Sequence, residues 1–78
     1  MKKKIKLIWQ FSGTDPLKIA EHHLIHLNEY LLKENLIINN KGSELINEFS
    51  AINHIIIPEE LLDKIKHDLK PHQAFIAE

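Results

Sequence analysis

The period of the hydrophobic pattern changes near residue 12, and that change sets much of what this chain can become. From Lys4 to Phe11 the residues alternate. Ile5, Leu7, Trp9 and Phe11 fall on one side, and Lys4, Lys6, Ile8 and Gln10 on the other. A period of two with one strongly apolar side predicts a half-buried strand. Ser12-Gly13-Thr14-Asp15-Pro16 reads as a turn leading into a helix. Thr14 or Asp15 can cap the free amides there, and Pro16 suits the first helical position. Beyond it the apolar residues Leu17, Ala20, Leu24, Leu27 and Leu31 recur at spacings of three and four. That seam predicts an amphipathic helix of about five turns ending near Glu34 or Asn35.

The remainder reads more coarsely. Leu36-Ile37-Ile38 is a short apolar run that predicts a second strand, and Asn39 to Ser43 carries turn chemistry. Glu44 to Phe49 reads either as one helical turn or as a continued strand. Ala51 to Ile57 is β-branched and nearly continuous in its apolarity, which predicts a central strand. Pro58-Glu59-Glu60 opens a second helix, with acids where the dipole favours them. Its buried stripe is Leu61, Leu62, Ile65 and Leu69, and Pro71 stops it. Gln73 to Ala77 predicts a last strand. The order β-α-β-β-α-β predicts an α+β, ferredoxin-like sandwich, with two helices on one face of a four-stranded sheet.

With 78 residues there is room for one domain, spanning 1–78. A chain of this size buries only roughly 60–65% of its unfolded surface, so a second subunit would help. The expected partner is a second copy, docked on the sheet face that carries Lys4, Lys6, Ile8 and Gln10. Off-stripe Ile19 and Ile25 add surplus apolar surface.

There is no Cys, which excludes disulfides, thiol nucleophiles and iron–sulfur ligation. Lys2-Lys3-Lys4 resembles the basic part of a leader, but Lys6, Gln10, Ser12 and Asp15 break the apolar stretch that a leader needs. That cluster is most simply a solvated terminus, with anionic-surface binding the alternative. No apolar run approaches membrane-spanning length. The cytoplasm is the default location. All ten basic residues are Lys, none is Arg, and the net charge is -1. This argues against a nucleic-acid partner, because Arg is the usual bidentate donor to phosphate and guanine.

Six His are the unusual feature, and three of them lie within the string Glu21-His22-His23-Leu24-Ile25-His26. Residues four apart share a helical face, so His22 and His26 project together and can chelate one divalent transition metal. Glu29 can add a carboxylate. The blander alternative leaves both as solvated surface residues. His23 and Tyr30 fall on the flank of the Leu stripe, where His23 either packs its ring at the boundary or serves a ligand with Tyr30 as a hydrogen-bonding partner. His54 interrupts an apolar strand, and His72 follows Pro71. They converge with His23 on a ligand pocket, or His54 is simply a core or interface residue. His67, four residues after Asp63, suits an ion pair along the second helix. Ser12, Ser43 and Ser50 lack a nucleophile elbow, and Gly13 and Gly42 form no phosphate loop.

Taken whole, the chain resembles a group of short uncharacterised bacterial proteins. The residues carrying the likeness are Ile5-Lys6-Leu7-Ile8-Trp9, Ala20-Glu21-His22-His23 with His26-Leu27, and Leu69-Lys70-Pro71-His72. The resemblance implies no catalytic role. The strand order is also similar in organisation to the dimeric α/β-barrel proteins. The leading expectation is a small binding module for a transition metal or small ligand, using the His-rich first helix. The alternatives are a small dimeric enzyme with a His as general acid–base, or a structural interaction protein without a ligand.

Overall fold

A computed structural model describes residues 3–77. Strand β1 covers Lys4–Ser12 and is followed by helix α1, Pro16–Lys33. Strands β2, Lys41–Asn47, and β3, Ser50–Pro58, form a hairpin. A 3₁₀ turn at Glu59–Leu61 leads into α2, Leu62–Leu69, and β4 closes the chain at Gln73–Ala77. The protein is therefore α+β, with a four-stranded antiparallel sheet in the order β2-β3-β1-β4. Of the predicted basic terminus, Lys2 lies outside the described residues, while Lys3 and Lys4 are exposed.

The alternation in β1 sets the register. Ile5, Leu7 and Trp9 stand opposite Ile57, Ile55 and Asn53 of β3, and Phe11 opposite Ala51. These residues form the inward side of the sheet, buried under Leu27 and Leu31 of α1 and Ile65 of α2. Both helices thus bury their stripes on the same face. Leu17 and Leu24 of the predicted α1 stripe are half-buried at its margin. Trp9 is held by its indole N–H, which donates to the Leu69 carbonyl at 3.0 Å. That bond ties the first strand to the end of α2.

The start of α1 agrees with the sequence reading. Asp15 is the N-cap and Pro16 opens the helix, but no side-chain capping bond forms. At the other end Asn35 takes a left-handed φ of 57°, and the Leu36 N–H returns to the Leu31 carbonyl at 2.8 Å. Asn is among the few residues that tolerate this conformation, so the helix stops where that residue stands.

The second strand requires a correction. Leu36 to Ile38 does not pair into the sheet; Ile38 is buried against the core and Ile37 is 86% exposed. The run is an apolar plug beneath the helix, not a strand. The strand comes later, because the tight turn lies at Glu48-Phe49 and not at Asn39 to Ser43. There the Asn47 carboxamide oxygen accepts the Phe49 N–H at 2.8 Å, a local bond that suits Asn to turns. Residues 44–47, ambiguous in sequence, continue the strand. Gly42, expected in a turn, instead lies within β2 opposite His54. A Cβ there would stand 3.4 Å from the His54 ring.

The outward side of the sheet is uncovered in the single chain. It presents Ile8, Ile52, His54, Ile56 and Phe75 together with Lys4, Lys6, Gln10 and Glu44, Lys6 standing between Ile56 and Phe75. Among the described residues no helix is long and apolar enough to cross a membrane.

These placements separate two leucines on the same helix. Leu27 is 1% exposed and Leu32 is 78% exposed. Leu27→Ala should destabilise the protein by about 2–5 kcal/mol. Leu32→Ala should stay within about 0.5 kcal/mol of the parent. Urea unfolding monitored by Trp9 fluorescence measures both, and equal losses would contradict the assignment of faces.

Candidate functional site

The histidines divide between three places. On the outward flank of α1, the His22 and His26 rings meet edge to face with centroids 4.8 Å apart. The His26 Nδ1 lies 3.1 Å from the Glu29 carboxylate, and both side chains are about two-thirds exposed. The predicted trio is therefore adjacent, as helical spacing requires. Among the described residues, however, no three His, Cys, Asp or Glu side chains gather as a metal-holding group. An open groove of about 490 Å³ runs beside His22, between Asp15, Lys18, Ile19, Glu21 and Ile25.

His54 lies on the other side of the sheet. It neighbours Asn53 on β3, and successive strand residues point to opposite faces. Asn53 faces the helices, so His54 faces outward and does not meet His23. Its Nδ1 is buried without a hydrogen-bond partner.

The third place is the corner between the start of α1, the end of β1 and the residue before β4. His23 rests against two rings, its centroid 5.4 Å from that of Trp9 and 5.0 Å from that of Phe11. Its position is fixed by Asn53, the buried polar residue of the core. The Asn53 amide nitrogen donates to the Ala20 carbonyl at 2.7 Å and lies 2.8 Å from the His23 Nδ1. The Asn53 oxygen accepts the Ser43 hydroxyl. Asn53 and Ser43 carry this site although neither stands out as a candidate in the sequence. The available signal is parity: Asn53 is a carboxamide at an inward position of the otherwise apolar strand Ala51 to Ile57.

The network settles which His23 nitrogen carries the proton. The Ala20 carbonyl can only accept, so it fixes the amide –NH₂ on that side, and the second amide hydrogen points at His23. The His23 Nδ1 must then accept. The neutral ring consequently carries its proton on Nε2.

His72 is set in the same way by a different donor. Pairing between β1 and β4 ends at Ile8 and Gln73. Past that point the Gln10 backbone N–H donates to the His72 Nδ1 at 2.8 Å, and the His72 N–H donates to the Ile8 carbonyl at 2.9 Å. A backbone N–H can only donate, so the neutral His72 ring also carries its proton on Nε2. His72 is an exposed residue at the edge of the same corner.

Tyr30 belongs elsewhere. Its hydroxyl donates to the Asp68 carboxylate of α2 at 2.6 Å. Burial raises the Tyr30 pKa far above its ordinary value, and the Asp68 hydrogen bond and the charges of Asp68 and Glu34 add to the rise. The Tyr30 hydrogen bond, then that of His67, lowers the Asp68 pKa. Lys64 joins the group, 2.7 Å from Glu34 and 3.7 Å from Asp68. The result is a polar latch between the two helices, not a wall of the His23 corner. His67 likewise departs from expectation: its Nδ1 lies 3.3 Å from the adjacent Asp68, not beside Asp63.

Burial lowers the His23 pKa from its ordinary 6.5, and positive charge on His26 or His72 lowers it further. A protonated ring would also set an Nδ1–H against the Asn53 amide hydrogen. The unfolded chain takes up this proton near pH 6.5, while the folded state resists it. The His23 contribution to stability is therefore complete above about pH 6.5. It declines as pH falls from there to the lowered folded value. Denaturant midpoints across pH 4.5–8 should show that decline, and His23→Gln should reduce its slope. An unchanged slope would contradict the His23 assignment.

No family model, no curated protein and no solved structure matches this chain.

Proposed function

We propose that this protein is a small binding module whose ligand sits at the His23–His72 corner. The observation carrying this reading is the pair of rings whose Nδ1 atoms are both occupied by fixed donors. A side chain left to solvent needs no such orientation. Trp9 and Phe11 supply an apolar surface beside His23, as ligand sites generally combine apolar walls with a few placed polar groups.

The same geometry weighs against the two competing chemistries. A general base must offer a lone pair to its substrate. The neutral His23 ring spends its lone pair on Asn53 and offers an N–H instead. A metal ligand also needs a free lone pair, and coordination through the His23 Nε2 would move the proton to Nδ1, against Asn53. A transition metal is left with His22, His26 and the Glu29 carboxylate on the exposed flank of α1, short of the usual four ligands of zinc. Titrating Zn²⁺ against the parent and a His22→Ala, His26→Ala double variant should give at most weak binding that the double variant abolishes. Tight Zn²⁺ binding abolished by His23→Ala would contradict the proposal.

The fold reading belongs with this proposal. The order β2-β3-β1-β4 with both helices on one face supports reading the fold as a ferredoxin-like sandwich. A chain without Cys suits a reducing, cytoplasmic setting. A second copy is the occupant we assign to the open sheet face. Its apolar members are Ile8, Ile52, Ile56 and Phe75. Glu44 lies on the edge strand β2, and Lys6 stands on the interior strand β1 between Ile56 and Phe75. Isologous pairing of two such faces would bury the isoleucines of both copies. Sedimentation equilibrium should give twice the 9.1 kDa chain mass, and Ile56→Lys should return it to monomer. A monomer at all accessible concentrations would contradict the dimer.

A further inference from the structure

Two imidazoles held as N–H donors specify more than a place to bind; they specify the chemistry of the ligand. We infer that the His23–His72 corner takes a small carboxylate carried on an apolar body. This inference rests on the binding reading above and adds the substrate class to it.

Asn53 at His23 and the Gln10 amide at His72 both place a hydrogen against Nδ1. In both neutral rings the proton is on Nε2, so each presents a donor and no acceptor. A ligand that donates hydrogen bonds, such as an amine, has nothing to pair with on either ring. A metal cation meets a proton where it needs a lone pair. An oxygen acceptor fits both, and a carboxylate brings two oxygens to two donors.

Both rings are held at the same end of β1. His23 projects from α1 over the end of β1, and His72 is fixed to the edge of the same strand through Ile8 and Gln10. Phe11 and Trp9 form the floor beside His23. Trp9 is almost fully buried, so the half-buried Phe11 ring is the apolar wall a ligand would meet. Neither His54, on the opposite face, nor Tyr30, committed to Asp68, contributes.

The test monitors the carbon-bound ring protons of His23 and His72 by NMR at pH 7, with benzoate, acetate, methylammonium and Zn²⁺ as separate probes. Benzoate should move the signals of both rings in a saturable way, acetate more weakly, and methylammonium and Zn²⁺ should leave them in place. His23→Ala and His72→Ala, each shown to be folded by Trp9 fluorescence, should weaken benzoate binding at least tenfold. Movement with methylammonium or Zn²⁺ but not benzoate would overturn the carboxylate assignment and leave the site standing. Silence of both rings toward every probe would overturn the site itself. Benzoate binding that survives both substitutions would place the ligand elsewhere and overturn the inference.

Discussion

The Asn53 carboxamide is the constraint on which the arrangement of this molecule turns. It is fully buried between the sheet and α1, where an unsatisfied amide would cost about 1–3 kcal/mol. Every hydrogen-bonding group it has is used: one hydrogen on the Ala20 carbonyl, one on the His23 Nδ1, and the oxygen on the Ser43 hydroxyl. Those three partners lie on α1 and β2, while Asn53 itself lies on β3. One side chain therefore fixes how the helix lies over the sheet and how β2 pairs beside β3. It also sets the direction and tautomer of a histidine at the edge of the core. A sliding helix would break the bonds to Ala20 and His23, and a one-residue slip of β3 would break all three together, because the slip would turn Asn53 outward.

Around that point the stability is apolar and one-sided. Leu7, Ile55, Ile57, Leu27 and Ile65 are fully or almost fully removed from water. The helices cover this face, and the opposite face retains a band of isoleucine around His54. A chain this short has little reserve against exposing such a band. The polar latch of Tyr30, Asp68, Lys64 and Glu34 joins the two helices over the core, far from the histidine corner.

How much of this is legible in the sequence depends on range. The first strand, both helices, the β3 strand and the last strand are local patterns: alternation, a Leu stripe, a Pro start, an apolar run. Each appears near its expected position. The second strand escapes a local reading because its hydrophobic signal is weak. Lys41 to Asn47 contains only Leu45 and Ile46 as large apolar residues, and both are exposed. Pairing with β3 makes it a strand, and pairing is not local. The real apolar run, Leu36 to Ile38, serves the core as a plug.

For the candidate site, the pairing of His22 with His26 and Glu29 is legible from helical periodicity. The partners of His23 are not, since Asn53 and Ser43 come from distant positions brought together by the sheet. Tyr30 shares the His23 flank in projection, but α2 intervenes with Asp68, which no spacing on α1 could reveal. His54 is separable in principle, because its parity in β3 is opposite to that of Asn53. His72 gains its meaning only from the place where β4 stops pairing and leaves the Gln10 N–H free to donate to its ring.

The central claim is that Asn53 holds His23 as a neutral ring with its proton on Nε2. Long-range ¹H–¹⁵N correlation of the imidazole at pH 7 reads this directly. The account predicts an unprotonated, hydrogen-bond-accepting Nδ1 and a protonated Nε2 for His23, reversing or averaging in Asn53→Ala. A protonated Nδ1 in the parent protein, or a pattern that Asn53→Ala leaves unchanged, would contradict it.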